Sequence, residues 1–281
     1  MNAPVNNAHN NLALLLRELR LPSIAFGYGD MARQAEREGW SFGQYLRALC
    51  DAEVQNRRLR RIKRLLKQSE LPSEKTRATL DEKRLPPPIA RSLQTLCEGG
   101  FVERAENVLV FGLPGRGKSH LVCAIAHELI HAGRCVLFTA TYKLVQRLLV
   151  AKRELVLERE LRRLDRFDVV ILDDIGYVQQ DREEMEVLFT FLAERYERRS
   201  VMITSNLIFS QWDRIFKDAM TTAAAIDRLV HHSTILEMNG PSIRSEHAQR
   251  TLGETTTTGS DKGPTTTTTT KPQSENTNGE K

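Results

Sequence analysis

The eight residues Gly112-Leu113-Pro114-Gly115-Arg116-Gly117-Lys118-Ser119 constrain this chain more than any other feature. They follow an apolar run, Val108–Phe111, and precede a helical pattern from His120 to His131. Glycines at 112, 115 and 117 permit a tight loop whose backbone N–H groups point inward. The following helix adds the positive end of its dipole, so loop and helix together cradle a polyphosphate. Lys118 is then placed for the β- and γ-phosphates and the Ser119 hydroxyl for Mg²⁺. The predicted contact set is Gly112, Leu113, Pro114, Gly115, Arg116, Gly117, Lys118, Ser119 and His120, with ATP or another nucleoside triphosphate as the ligand.

A loop of this kind needs a parallel sheet behind it. Short apolar runs at Val108–Phe111, Val136–Thr139, Val169–Leu172, Val201–Thr204 and Thr234–Met238 alternate with amphipathic helical patterns, which predicts an α/β fold with crossover helices. The third run ends in Asp173 and Asp174, at the carboxyl end where such sheets bind ligands. Asp173 suits the magnesium shell, and Asp174 is placed to orient and deprotonate an attacking water. Asn206, just past the fourth run, can hydrogen-bond the γ-phosphate or that water. Arg228, in Asp227-Arg228-Leu229, reads on its own spacing first as a surface ion-pair partner.

The region before the sheet has a different texture. Helical periodicity runs through Leu12–Leu19 and Met31–Leu49, with breaks expected at Leu21-Pro22 and at a Gly27/Gly29 turn. Ser41 is a capping residue for a helix that continues into Arg57, Arg58, Arg60, Arg61, Lys63, Arg64 and Lys67, a run with no acid in it. Leu59, Ile62, Leu65 and Leu66 fall at helical spacing within that run, so the helix is amphipathic with a dense cationic face. That face is the expected DNA-phosphate surface, with binding that weakens steeply with salt. A second basic stretch, Lys152 to Arg166, is interleaved with Glu154, Glu158 and Glu160 and favours pairing within the helix. Neither run contains aromatic residues, which argues against base stacking on single strands. The organisation predicted is a small all-helical region over 1–85, a linker over 86–106 marked by Pro86-Pro87-Pro88, an ATPase domain over 107–250, and a Thr-rich tail over 251–281 too poor in apolar residues to order itself.

Bulk composition narrows the class without deciding it. The 281 residues carry a net charge of +5, compatible with nucleic acid but no proof of it. No run approaches the length of a membrane span, and no basic start precedes an apolar stretch as in a secretory signal. Four cysteines without CxxC spacing read as reduced thiols, so a cytoplasmic location is expected.

With these pieces in place, the chain resembles the IstB-like helper ATPases of IS21-type insertion sequences, relatives of DnaC helicase loaders and DnaA initiators in the AAA+ class. The resemblance spans Leu12 to Arg250. It rests on Leu16-Arg17-Glu18-Leu19-Arg20-Leu21-Pro22, on Gly39-Trp40-Ser41-Phe42, on Leu172-Asp173-Asp174-Ile175-Gly176-Tyr177 and on Arg195-Tyr196-Glu197-Arg198-Arg199-Ser200. It continues through Thr204-Ser205-Asn206-Leu207, Trp212 and Ile226-Asp227-Arg228-Leu229-Val230-His231-His232. The resemblance implies an AAA+ P-loop core behind a helical amino-terminal domain, ATP and Mg²⁺ as cofactors, and a homo-oligomer assembled with ATP on duplex DNA. It further implies an IstA-like partner transposase, recruited and stimulated by the assembly. Arg228 becomes an arginine finger acting on a neighbouring subunit's ATP. The alternative within the same class is a DnaC-like replicative helicase loader; a nucleotide-gated adaptor without turnover is a third reading. The family's Ser-Tyr-Arg element reads Ser242-Ile243-Arg244 here, and the Thr-rich tail has no counterpart.

Arg228→Ala is expected to leave nucleotide binding by the monomer intact and to remove the hydrolysis that depends on assembly. Steady-state phosphate release at rising protein concentration checks this, and retained concentration-dependent hydrolysis refutes it.

Overall fold

The computed structural model of the protein describes residues 5–175, 182–207 and 229–239. Arg228, Asp227, Trp212, Arg244, the Gly176-Tyr177 pair and the 251–281 tail lie outside the described residues.

Three helices open the chain: α1 (Val5–Glu18), α2 (Pro22–Glu38) and α3 (Phe42–Ser69). Pro22 occupies the first turn of α2, where its missing N–H costs nothing. Gly39 closes that helix in the left-handed conformation at φ 67°, its N–H bonded to the Ala35 carbonyl. Ser41 then starts α3 with a reciprocal capping box: Gln44 N–H donates to Ser41 Oγ at 3.3 Å and Ser41 N–H to Gln44 Oε1 at 2.7 Å. The expected turn at Gly27/Gly29 does not form. Both glycines lie inside α2, and the break falls at Gly39, where a positive φ is needed. The three helices pack around Leu16, Ile24 and Leu49, with Tyr28, Met31 and Tyr45 at the margin.

The stretch expected as a linker over 86–106 is mostly helical: α4 spans Pro87–Glu98 and a short α5 spans Gly100–Glu103. Pro87 and Pro88 sit in the first turn of α4, so the prolines that stop one helix start the next. Ile89, Leu93, Leu96 and Cys97 of α4 are buried in one cluster with Leu65 of α3 and with Val110, Leu121 and Ile125 beyond them. The connecting segment is thus part of the core.

Among the described residues five parallel strands form a single sheet: β1 (Asn107–Phe111), β2 (Val136–Ala140), β3 (Val169–Asp173), β4 (Ser200–Ser205) and β5 (Ser233–Glu237), in the order β2-β3-β4-β1-β5. Helices α6 (Lys118–His131), α7 (Thr141–Arg153), α8 (Leu157–Leu164) and α9 (Arg182–Arg195) follow β1, β2 and β3. Strands β1 and β4 are buried throughout, as near-continuous apolar runs in a two-sided parallel sheet must be. The second basic stretch is broken between α7 and α8, where Leu155 takes φ 57°. Part of its charge pairs within the protein: Arg162 with Glu158, Arg163 and Arg147 with Glu160, Lys152 with Glu186. Among the described residues no helix is long and apolar enough to cross a membrane.

Because α4 is core rather than tether, Leu93→Ala should destabilise the protein by about 2–5 kcal/mol. Leu93 is 1% exposed, so denaturant unfolding of the variant reports the burial directly, and a change below experimental error would return the segment to a linker.

Candidate nucleotide-binding site

The loop after β1 has the conformation its glycines predict. Gly112, Gly115 and Gly117 all take positive φ, at 148°, 81° and 86°. At Gly112 space also matters: a Cβ there would lie 2.5 Å from the Met238 carbonyl oxygen, just beyond β5. That carbonyl accepts from the Arg116 guanidinium at 3.2 Å, while Gly112 N–H donates to the Ser205 carbonyl, also at 3.2 Å. The loop is therefore pinned to the ends of both neighbouring strands.

Parallel registry brings the remaining groups to it. Phe111 stands beside Ser205 in the β1–β4 pair, and Leu172 beside Ile203 in the β3–β4 pair. Asp173 Oδ1 consequently accepts from Ser119 Oγ at 2.8 Å and from Thr204 Oγ1 at 2.6 Å. Thr204 Oγ1 in turn accepts from the Asp174 N–H at 2.8 Å. Asp174 itself takes φ 63°, a left-handed conformation that Asp tolerates better than most residues and that turns its carboxylate towards Asn206. Asn206 Nδ2 donates to Asp174 Oδ1 at 2.7 Å. Its amide oxygen accepts from Lys118 Nζ at 2.5 Å, and the same ammonium donates to the Gly112 and Leu113 carbonyls at 2.7 and 3.0 Å.

These groups surround one cleft of about 420 Å³ lined by residues 114–120, Asp174, Thr204, Asn206 and Lys75. Two hard oxygen donors 2.8 Å apart, Ser119 Oγ and Asp173 Oδ1, form a set suited to Mg²⁺. The four predicted residues Lys118, Asp173, Asp174 and Asn206 are linked to one another through Ser119 and Thr204 or directly. Thr204 was visible in the sequence only as the neighbour of Asn206, and its double hydrogen bond depends on registry. Lys75 gave no sequence signal.

The cationic face of α3 is divided. Arg57 Nε donates to Glu53 Oε1 at 2.8 Å and Arg60 to the same oxygen at 3.3 Å. Arg57 also reaches the Arg20 carbonyl at 2.6 Å, Arg61 the Gly133 carbonyl at 3.0 Å and Arg58 the His131 carbonyl at 3.5 Å. Lys63, Arg64 and Lys67 are exposed and, among the described residues, have no hydrogen-bond or ion-pair partner. Burial alone would push the Glu53 carboxyl up, but the Arg57 hydrogen bond and the Ser23 and Ile24 N–H groups outweigh it and hold the carboxyl down at about 2.

A protein-family model described as IstB-like ATP binding protein matches residues 14–251. The chain belongs to that family. An insertion sequence ATP-binding protein of Sinorhizobium fredii is 44% identical over 250 residues, 87% of this chain and 84% of the relative. The IS21 ATP-binding protein of Pseudomonas aeruginosa is 35% identical over 241 residues, 86% of this chain and 91% of the relative. Among solved structures, AMPPCP-bound DnaA from Aquifex aeolicus overlays with a TM-score of 0.51 at 16% identity, covering 66% of this chain and 57% of that one. That likeness shows the fold. This IstB-like chain carries its phosphate loop on the parallel sheet, behind the helical amino-terminal region, as expected from its sequence.

Thr204→Val keeps the shape of the side chain and removes both of its hydrogen bonds. ATP turnover is expected to fall about tenfold or more, the equivalent of one hydrogen bond to a charged group, with ATP affinity changed far less. Parallel turnover and equilibrium-binding assays separate the two effects, and unchanged turnover would remove Thr204 from the site.

Proposed function

We propose that this IstB-like chain is the ATP-dependent helper ATPase of an insertion sequence, assembling on duplex DNA and recruiting a partner transposase that performs the strand transfer. The observation that carries the ATPase half is the linked set of Lys118, Ser119, Asp173, Asp174 and Asn206 at one end of the sheet. The P-loop N–H groups and Lys118 bind the triphosphate, and its oxygens replace the Gly112 and Leu113 carbonyls as partners of the ammonium. Ser119 and Asp173 would hold Mg²⁺, which supplies positive charge at the β- and γ-oxygens. Asp174, oriented by Asn206, positions the attacking water and accepts its proton.

Arg228 would come from a neighbouring subunit, which makes hydrolysis a property of the assembly. The DNA half of the reading rests on α3. Arg57, Arg58, Arg60 and Arg61 are partly engaged inside the protein, so Lys63, Arg64 and Lys67 are the leading phosphate contacts. The names of the relatives place them in insertion sequences, and this supports a transposition role over helicase loading.

The wild-type chain with ATP is expected to sediment as a large assembly on duplex DNA, and Lys118→Ala is not. Replacing Lys63, Arg64 and Lys67 together with alanine should reduce the salt dependence of duplex affinity, lowering the log–log slope by roughly 2–3. A nucleotide-indifferent monomer would overturn the proposal. Co-purification with a hexameric helicase and with no transposase would redirect it to helicase loading.

A further inference from the structure

The segment between α3 and α4, which includes short helical turns at Arg77–Thr79 and Glu82–Arg84, lies against α6 as a strap. Two histidines of α6 hold it. His127 Nε2 is 3.2 Å from the Pro72 carbonyl oxygen, and His120 Nε2 is 3.1 Å from the Thr76 carbonyl oxygen. A carbonyl only accepts, so a hydrogen bond to it takes the proton from Nε2; His120 Nε2 also lies 3.1 Å from Thr79 Oγ1. The strap is also stitched to itself: Lys75 N–H donates to the Pro72 carbonyl at 3.3 Å, and Thr79 Oγ1 donates to the Glu74 carbonyl at 2.6 Å.

Residues 73–75 are thus held between two clasps at the wall of the nucleotide cleft. Lys75 is half-buried there and lines the cleft together with Gly117, Lys118, Ser119 and His120. Among the described residues its ammonium has no ion pair and no side-chain hydrogen bond. Burial pushes the Cys123 thiol of α6 up to about 12, and the Lys75 ammonium is the first influence working against that rise. A partly desolvated, unpaired ammonium in the wall of a phosphate cradle is suited to an anionic oxygen.

We propose that Lys75 is a second nucleotide-binding lysine, supplied by the strap rather than by the P-loop and directed at the phosphate chain of the bound nucleoside triphosphate. The inference rests on the reading of the cleft as an ATP site. It also gives ATP a physical route to the DNA-facing surface. The strap starts immediately after α3 ends at Ser69, and Leu65 of α3 shares a buried cluster with Leu121 and Ile125 of α6. A phosphate held by both Lys75 and the P-loop therefore ties the end of α3 to the nucleotide, within a few turns of Lys63, Arg64 and Lys67.

The test is titration of a fluorescent ATP analogue into the full chain and into Lys75→Met and Lys75→Arg. Methionine keeps the aliphatic stem and removes the charge, whereas arginine keeps the charge. Lys75→Met should weaken binding about tenfold or more, the loss of one charge-assisted hydrogen bond, and Lys75→Arg should recover most of it. Thermal unfolding without nucleotide should be the same for all three proteins. Wild-type affinity in Lys75→Met, or an equal loss in both variants, overturns the inference and makes Lys75 a bystander or a structural strut. A folded wild-type chain that fails to bind the analogue overturns the ATP-site reading instead, an outcome distinguishable from the other two.

Discussion

The nucleotide cleft depends on the place of one strand. Because β4 lies between β1 and β3, its carboxyl end separates the phosphate loop from the paired acids by a single strand's width. Asp173 Oδ1 can then accept from Ser119 on one side and Thr204 on the other, while Asn206 spans from Lys118 to Asp174. A hydroxyl has one proton and two lone pairs, and Thr204 uses both capacities, donating to Asp173 and accepting from the Asp174 N–H. A slip of β4 by one residue would turn its side chains to the opposite face and break the contacts that Thr204 and Asn206 make. The buried apolar residues of β1, β3 and β4 resist such a slip, so core packing and site geometry are the same constraint seen at two positions.

The opposite end of the sheet is fixed by another device. The Arg195 guanidinium is 2% exposed and donates to the carbonyls of Leu164, Phe167, Asp168 and Ser200 at 2.9–3.3 Å. Burial lowers its pKa to about 10, which still leaves it cationic at neutral pH. Arg199 meets Asp168 at 2.7 Å and Arg198 meets Asp165 at 2.9 Å beside it. The Arg195-to-Ser200 string that marks the family resemblance is therefore architectural: it joins the approach to β3 to the start of β4. Fixing these two strands at their beginnings helps hold Asp173 and Thr204 in register at their ends.

The parts most legible in the sequence are those governed by local chemistry. Strand limits fall close to the apolar runs because a strand buried on both faces must be apolar throughout. The Gly112, Gly115 and Gly117 pattern translates directly into positive φ, and the Ser41 cap forms with Gln44. What was misread depended on context. Proline stops a helix but also suits the first turn of the next one, so Pro86-Pro87-Pro88 resembled a tether although α4 follows at once. Gly27 and Gly29 permit a turn without requiring one. Glu53 lies one helical turn before the basic run and its effect on Arg57 and Arg60 is partly local, but its burial depends on the α2 N-terminus folding over it. Lys75 was not legible at all, since only the path of the strap brings it to the cleft.

The division of α3 follows from the same burial. Taking the Glu53 carboxylate out of water is costly unless it is fully hydrogen-bonded. It receives the Ser23 and Ile24 N–H groups at 2.7 and 3.3 Å and two guanidinium groups, which binds α2 to α3. The arginines that complete this arrangement also line an open cleft with Arg17 and Arg20, so they retain charge towards solvent while their positions are fixed. Further along, Leu65 and Ile62 turn α3 onto the ATPase core and leave Lys63, Arg64 and Lys67 on the outside. One helix thus anchors the amino-terminal region at its middle and packs on the nucleotide-binding core at its end. The same helix therefore joins the buried Glu53 arrangement to the packing on the core that carries the phosphate loop, and presents Lys63, Arg64 and Lys67 on its outer face.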